Sequence, residues 1–319
     1  MKLATLADGS RDGALIVVAD DGSRYLSAEA IVATLQGALD AWDRHEPALS
    51  ALAARLAQGE GEDLSPATPL LAPLPRAWQW LDGSAFPTHG ALMQRAFGHD
   101  PIETDRPLMY QGMSHRFLAG WEDVPFPSEA DGIDFEGEFG VVTGDVPMGC
   151  SAAEALAHIR LIVQINDWSL RAIAPIEMKT GFGWVQAKPA CSMAPFAVTP
   201  DALGDAWRDG RVCLKLRVEV NGHWFGEPDG AAMAVGFHDL IAHAARSRDL
   251  PAGTIIGSGT VSNADHAEVG STCLSERRAI EMIERGGAVT PFLSFGDRVA
   301  MIAEPFGRID QQVVAAPRR

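Results

Sequence analysis

The sequence is poor in cysteine and has no long apolar run, and each shortage excludes a class of protein. Its 319 residues include four cysteines, none in a C-x-x-C pair: Cys150, Cys191, Cys213 and Cys273. Neither a thiolate zinc site nor a secreted disulfide framework is therefore expected. The apolar run at 15–18 is too short for a signal-peptide core, and no later run approaches a membrane span. We expect a cytoplasmic protein with reduced thiols.

Basic residues are scarce relative to acidic ones. Lys and Arg together number 26 against 42 Asp and Glu, which gives a formal net charge of −16. This charge repels phosphate backbones and anionic lipids, so we expect neither a nucleic-acid partner nor a membrane partner. Hydrophobic residues at 47% and charged residues at 21% are typical of a folded chain. Some of the excess carboxylates are candidates for holding a cation.

The first quarter of the chain differs in pattern from the rest. Short apolar runs separated by Asp-Gly turns predict small antiparallel strands over residues 1–26. A helix capped by Ser27 and a second helix opened by Pro47 follow. The next stretch is acidic and then rich in proline, which indicates a linker. We therefore divide the chain into a small domain with its linker, 1–75, and a large domain, 76–319.

The large domain has a mostly β pattern. Strict alternation over 212–220, followed by Asn221-Gly222, predicts a strand and a type I′ hairpin turn. A helix is predicted over 237–246, and strands over 254–260 and 298–303. No G-x-G-x-x-G motif or P-loop follows a strand, which disfavours a nucleotide-binding α/β fold. The sequence predicts an α+β fold with more strand than helix.

Three carboxylates form the most informative group of residues. Read as one strand, the segment 132–142 places Glu136 and Glu138 on one face, about 6.6 Å apart at Cα. That face is either solvated or holds a cation. Asp167 ends an apolar run, where it needs a turn amide, an arginine such as Arg171, or a metal as its partner. Ligands that are all oxygen favour Mg²⁺, with Mn²⁺ or Ca²⁺ as alternatives, over zinc.

Five segments resemble the fumarylacetoacetate hydrolase family in their order and spacing. They are F-E-G-E-F at 135–139, I-N-D-W-S-L-R at 165–171, Q-A-K-P at 186–189, G-S-G-T-V-S at 257–262 and G-S-T-C-L-S-E at 270–276. The resemblance covers residues 80–305, and the prefix resembles the small N-terminal domain of the longer hydrolases. It implies a mixed β-roll catalytic domain, usually dimeric, that binds a divalent cation. The ligands carried over from the family's Glu-x-Glu pair and Asp are Glu136, Glu138 and Asp167.

The same resemblance implies further site residues. The layout L-D-G-S-A-F-P-T-H at 81–89 matches the family's fourth metal ligand, here Asp82, and its catalytic histidine, here His89. A glutamate after Gly-Ser orients that histidine in the family. Glu276 is the first candidate for this role, and Glu268 is an alternative because the spacing is longer than in the animal enzymes.

Charge stabilisation and substrate contacts are implied as well. Only four lysines stand against twenty-two arginines, and Lys188 falls where the family keeps a lysine that stabilises developing negative charge. Arg171 matches a family arginine of the same purpose. Tyr110 and Thr260 match residues that contact substrate. Ala174 departs from the eukaryotic pattern, which often has Gln there, so one oxyanion donor is missing or supplied elsewhere.

The resemblance implies a metal-dependent hydrolase that cleaves a carbon–carbon bond in a 1,3-diketo acid. The first expected substrate is fumarylacetoacetate, which gives fumarate and acetoacetate in aromatic amino acid breakdown. An acylpyruvate or fumarylpyruvate hydrolase, or an isomerase or decarboxylase of the same family, is the alternative. A non-catalytic metal-binding protein is a more remote one. We expect a small-molecule diketo acid as the ligand and a homodimer as the assembly.

Overall fold

A computed structural model describes residues 1–98 and 104–317 of the chain. Over these ranges the fold is mixed α/β with more strand than helix. The strands up to the centre of the chain are β1 Lys2–Leu6, β2 Ala14–Val18, β3 Arg24–Ser27, β4 Glu62–Asp63, β5 Trp80–Gly83, β6 Met109–Gly112, β7 Leu118–Ala119, β8 Val124–Phe126, β9 Ile133–Asp134, β10 Gly137–Thr143 and β11 Ile159–Asn166. The later strands are β12 Ser169–Leu170, β13 Ser192–Met193, β14 Ala197–Val198, β15 Trp207–Arg208, β16 Arg211–Val212, β17 Arg217–Val220, β18 His223–Gly226, β19 Ile255–Gly257, β20 Arg298–Ala303 and β21 Gly307–Ala315.

Eight α-helices lie in the same ranges. They are α1 Leu35–Leu39, α2 Trp42–Ala57, α3 Pro87–Phe97, α4 Ala152–Ala155, α5 Ala174–Thr180, α6 Phe237–Ala244, α7 His266–Val269 and α8 Leu274–Arg285. None of these described helices has both the length and the apolarity that crossing a membrane requires.

A twelve-stranded sheet organises the molecule. Its main path runs β4-β3-β2-β1-β14-β11-β10-β19-β5-β6, and β13 and β7 join it beside β11. Most neighbours are antiparallel, but β19 and β5 run parallel. A second sheet has the order β18-β17-β20-β21-β8. The small N-terminal domain is joined to the catalytic domain through this sheet, because β1 pairs with β14.

The central strands are covered on both faces. All seven residues of β10 are buried, and so are seven of the eight in β11. One hydrophobic cluster joins Leu35 and Leu49 of the N-terminal helices to Ile165 of β11. A second cluster includes Phe139 of β10 and Phe237 of α6. Polar side chains on these strands are therefore removed from bulk water and need partners within the protein.

Two predicted helix starts are wrong. Ser27 ends β3, and α1 begins after Thr34, whose hydroxyl accepts a hydrogen bond from the third amide of the helix. Pro47 lies inside α2 rather than at its start. Because Trp42 is buried in the cluster against the sheet, the helix begins more than a turn before the proline.

The predicted hairpin is confirmed. Asn221 and Gly222 both have positive φ, 52° and 76°, and they join β17 to β18. The strand before the turn is shorter than predicted. Residues 213–216 lie between β16 and β17 and belong to neither strand. The predicted helix at 237 and the predicted strand at 298–303 match α6 and β20.

Candidate functional site

Three buried carboxylates meet beside the central strands. Asp82 lies in β5, Glu138 in β10 and Asp167 directly after β11, and one oxygen of each lies within 4.8 Å of the other two. The β5-β19-β10-β11 order of the sheet brings these segments together. Gly257 pairs with Asp82 across β19 and β5, and a Cβ there would collide with the Asp82 carboxylate and the Trp80 ring. Glycine at this position lets the strand approach the site.

Glu138 is the residue whose surroundings fit a cation best. Its side chain is 0% exposed, and neither carboxylate oxygen has a hydrogen-bond partner among the described residues. Burial and the nearby carboxylates of Asp82 and Asp167 raise the pKa of Glu138 well above its ordinary value. Burial and the Asp167 carboxylate raise the pKa of Asp82 well above its ordinary value too. A divalent cation would give these oxygens a partner, and oxygen ligands alone suit Mg²⁺ or Mn²⁺.

Glu136 is not among the three clustered carboxylates, and its role as a metal ligand stays a prediction. Its Oε1 accepts hydrogen bonds from Ser169 Oγ at 2.8 Å, Arg171 Nη2 at 2.5 Å and Lys188 Nζ at 2.9 Å, and the Thr260 hydroxyl donates to Oε2. Burial opposes ionisation, but the two cations outweigh it and hold the pKa of Glu136 well below its usual range. The face that carries the two glutamates is not solvated, because Glu136 is only 6% exposed.

A break in the strand separates the two glutamates. The segment predicted as one strand forms β9 and β10, with Glu136 between them. The amide of Glu136 bonds to Asn166 Oδ1 at 3.1 Å instead of continuing the ladder. Lys188 Nζ contacts both Glu136 and Asp167, and Glu138 lies in the cluster with Asp167, so the two glutamates flank the same aspartate but differ in their contacts.

Asp167 is held by three donors. Lys188 Nζ and the Tyr110 hydroxyl each lie 2.5 Å from its Oδ2, and Cys191 Sγ lies 3.1 Å from its Oδ1. Burial disfavours a charged lysine, but Asp167 and Glu136 outweigh that cost and raise the pKa of Lys188 above its ordinary value. Burial and Asp167 raise the pKa of the Tyr110 hydroxyl and of the Cys191 thiol well above their usual ranges. Both groups therefore keep their protons and act as donors.

Arg171 is not the partner of Asp167 that the sequence allowed. Its Nε lies 2.8 Å from Asp134 Oδ2, and its Nη2 contacts Glu136. The pairing of β12 with β9, in which Ser169 is opposite Asp134, places the arginine beside that strand. Asp134 also accepts from the first two amides of α8, at 2.8 and 3.0 Å, so it ties the arginine to that helix.

His89 and Glu276 are in contact. His89, in the first turn of α3, has its Nδ1 3.0 Å from Oε2 of Glu276, in the first turn of α8. Glu276 is 0% exposed and its Oε1 has no partner among the described residues. The alternative, Glu268, is exposed on α7. The structure thus brings a buried carboxylate to one nitrogen of the histidine ring and leaves Nε2 for a second partner.

Three residues of the site, Asp134, Ser169 and Cys191, were not predicted from the sequence. Asp134 stands two positions before Glu136 in the same segment. This proximity was the signal in the sequence that could have identified it as a site residue. Cys191 stands three positions after Lys188, and its only signal was that proximity. Ala174, where the sequence predicts a missing donor, is the first residue of α5, and its role stays a prediction.

Comparison with known proteins identifies the family. Residues 79–314 match the family described as fumarylacetoacetate (FAA) hydrolase C-terminal, and residues 1–76 match fumarylacetoacetase N-terminal domain 2. The mitochondrial oxaloacetate tautomerase Fahd2a of Rattus norvegicus is 26% identical over 157 residues, 48% of each chain. The 2,4-didehydro-3-deoxy-L-rhamnonate hydrolase of Sphingomonas sp. (strain SKA58) is 28% identical over 163 residues, 50% of this chain and 54% of that protein.

These matches cover about half the length of the curated relatives. A solved structure extends the likeness to 99% of this chain and 100% of the other: maleylpyruvate hydrolase from Sphingobium sp. SYK-6 in complex with manganese(II) ion and pyruvate, with a TM-score of 0.68 and 15% identity. At that identity the likeness shows a shared fold. The family match itself spans most of the sequence. The chain therefore belongs to the fumarylacetoacetate hydrolase family, whose members include hydrolases, isomerases and tautomerases.

Proposed function

We propose that this protein is a metal-dependent hydrolase that cleaves a carbon–carbon bond in a 1,3-diketo acid. Fumarylacetoacetate is the substrate that we favour. The contact between His89 and the buried Glu276 carries the proposal, because hydrolysis needs a base that takes a proton from water. The manganese and pyruvate bound to the maleylpyruvate hydrolase of similar fold support a divalent cation and an oxo-acid ligand for this chain too.

Each chemical requirement of the reaction has a residue. A divalent cation held by Asp82, Glu138 and Asp167 would polarise the diketone oxygens. His89 accepts a proton from water, and Glu276 holds its Nδ1–H and stabilises the imidazolium that forms.

The bond changes then balance within the substrate and one water. The hydroxide adds to the acyl carbonyl, and the carbon–carbon bond breaks as the tetrahedral centre collapses to a carboxylic acid. The electron pair leaves on the other fragment as an enolate, which takes up the proton that His89 holds. Lys188, a buried ammonium beside the carboxylates, is placed to stabilise the negative charge as it develops.

A tautomerase is the second candidate. The rat relative is named as an oxaloacetate tautomerase, and keto–enol exchange requires a polarised carbonyl and a proton acceptor but no addition of water. A cation held by the three clustered carboxylates would serve either reaction. The histidine–glutamate pair favours hydrolysis, since it supplies an activated base for water.

The two functions are separated by a substrate panel. Chelator-treated protein is reloaded with Mg²⁺ or Mn²⁺ and given fumarylacetoacetate, fumarylpyruvate, acetylpyruvate or oxaloacetate in ¹⁸O-labelled water. We expect two acids from a diketo acid, with one label in the new carboxylate. Keto–enol exchange of oxaloacetate with no carbon–carbon cleavage of any diketo acid would establish the tautomerase instead.

A further inference from the structure

The two oxygens of Asp167 have unequal surroundings. Oδ2 accepts from both Lys188 and Tyr110, whereas Oδ1 accepts only from the Cys191 thiol among the described residues. The thiol and the carboxylate are both buried, at 1% and 0% exposure. Without the thiol, Oδ1 has no donor among the residues that the structure describes.

The backbone fixes Cys191 at this position. Its carbonyl oxygen accepts from the Leu118 amide at 2.8 Å, and the next residue, Ser192, begins β13, which pairs with β11. The Ser192 hydroxyl accepts from Trp168 Nε1 at 2.9 Å. Asp167 and Trp168 directly follow β11. Cys191 therefore contacts the first of them and Ser192 contacts the second.

We propose that Cys191 is a positioning residue whose thiol proton fixes the carboxylate of Asp167 in the orientation that binds a divalent cation. This rests on the proposed metal-dependent function. A buried cysteine can also serve only as a small apolar group in the core, and Cys191 does belong to a hydrophobic cluster. The contact with Oδ1 distinguishes the two roles, because groups that orient metal ligands affect the affinity for the metal.

The test measures Mn²⁺ affinity, by electron paramagnetic resonance of the free ion, in chelator-treated full-length protein. We expect Cys191→Ala, which lacks a donor, to bind Mn²⁺ about tenfold more weakly than the unsubstituted protein, at the lower end of effects seen when such groups are removed. Cys191→Ser keeps a donor and should restore most of the affinity. Cys150→Ala is the matched control, because Cys150 is buried in a different hydrophobic cluster and, among the described residues, its thiol donates only to the carbonyl of the adjacent Ser151.

The Mn²⁺ affinities of the Ala and Ser variants separate a positioning role of Cys191 from a packing role. Equal Mn²⁺ affinity in Cys191→Ala and the unsubstituted protein, or an equal loss in the Ala and Ser variants, would overturn the positioning role and leave the proposed function standing. No Mn²⁺ binding by the unsubstituted protein would overturn the metal site itself and this inference with it. If Cys191→Ala does not fold, the Ser variant decides alone, since a role that needs only a donor requires it to bind Mn²⁺ nearly normally.

Discussion

At the scale of single residues, two glutamates one residue apart in the chain have opposite electrostatic surroundings. Glu136 faces Arg171 and Lys188, and its pKa is held well below the usual range although burial opposes ionisation. Glu138 is buried near other carboxylates, and its pKa is raised well above that range. Environments that drive the pKa values of neighbouring acids apart assign them different functions. Among the described residues Glu138 has no hydrogen-bond partner, whereas Glu136 holds the Arg171 and Lys188 side chains.

Lys188→Met tests charge stabilisation at this scale. We expect kcat to fall by about 10²–10³-fold with a smaller change in KM, because a donor aimed at developing charge acts mainly in the transition state. The protein should also become less stable to heat, since two buried carboxylates lose a counter-charge. Lys215→Met, at an exposed lysine, is the control for steady-state kinetics. A change confined to KM would make Lys188 a substrate-binding residue only.

At the scale of helices, strands and turns, the sequence pattern predicted correctly those elements whose conformation depends on neighbouring residues. The Asn221-Gly222 turn needs two positive φ values, and the apolar run at 298–303 follows a glycine turn, so both predictions succeed. Ser27 failed as a helix cap because its strand pairs with β2 across the sheet. The strand through Glu136 failed because an asparagine side chain takes its amide bond. Both failures depend on a contact with another segment of the chain, which the local pattern does not contain.

The helix that carries His89 lies on the surface, with none of its described side chains fully buried. Its packing partner is α8, which carries Glu276. We expect His89→Ala to lower kcat/KM by about 10²–10⁴-fold, the usual effect of losing a general base. Mn²⁺ affinity should be unchanged, because His89 does not belong to the group of three carboxylates that would hold the ion.

Glu276→Gln should give a smaller loss of activity than His89→Ala, since it perturbs only the orientation and charge balance of the ring. His223→Ala, at an exposed histidine of β18, is the control for both variants. Normal turnover of a diketo acid by His89→Ala would show that another group activates water, and the tautomerase would become the better proposal.

At the scale of the whole molecule, the chain carries a net charge of −16 and concentrates three of its acids in one buried cluster. Burial and mutual repulsion raise the pKa of Asp82 and of Glu138, so the folded metal-free protein holds protons there that the unfolded chain releases. Their contribution to stability is present at low pH and is lost as the pH rises from about 4 through the raised pKa values.

Mn²⁺ competes with those protons, so its stabilising effect should grow with pH. We expect the increase in Tm on adding Mn²⁺ to be larger at about pH 8 than at about pH 6, because metal binding releases protons from carboxylic acids. Differential scanning calorimetry with and without the ion measures it. The same increase at both pH values would show that the clustered carboxylates are already ionised without metal.

The sequence predicted most of the site by motif and little of its geometry. Spacing and resemblance named Asp82, Glu138 and Asp167, which the fold brings together from three separate strand segments. They did not reveal the contacts of Glu136 with the Arg171 and Lys188 side chains. Cys191 was invisible as a site residue because its contact with Asp167 depends on the pairing of β13 with β11.

The central claim is that the carboxylates of Asp82, Glu138 and Asp167 hold a divalent cation on which turnover depends. Titrating Mn²⁺ into chelator-treated protein, while following bound ion and diketo-acid cleavage together, tests it most directly. We predict that both rise in parallel and stop at a single ion per chain, and that Glu138→Gln remains folded yet shows neither, whereas Glu268→Gln, at an exposed glutamate, shows both. Full cleavage in excess chelator with no bound metal, or normal binding and turnover by Glu138→Gln, would contradict the claim.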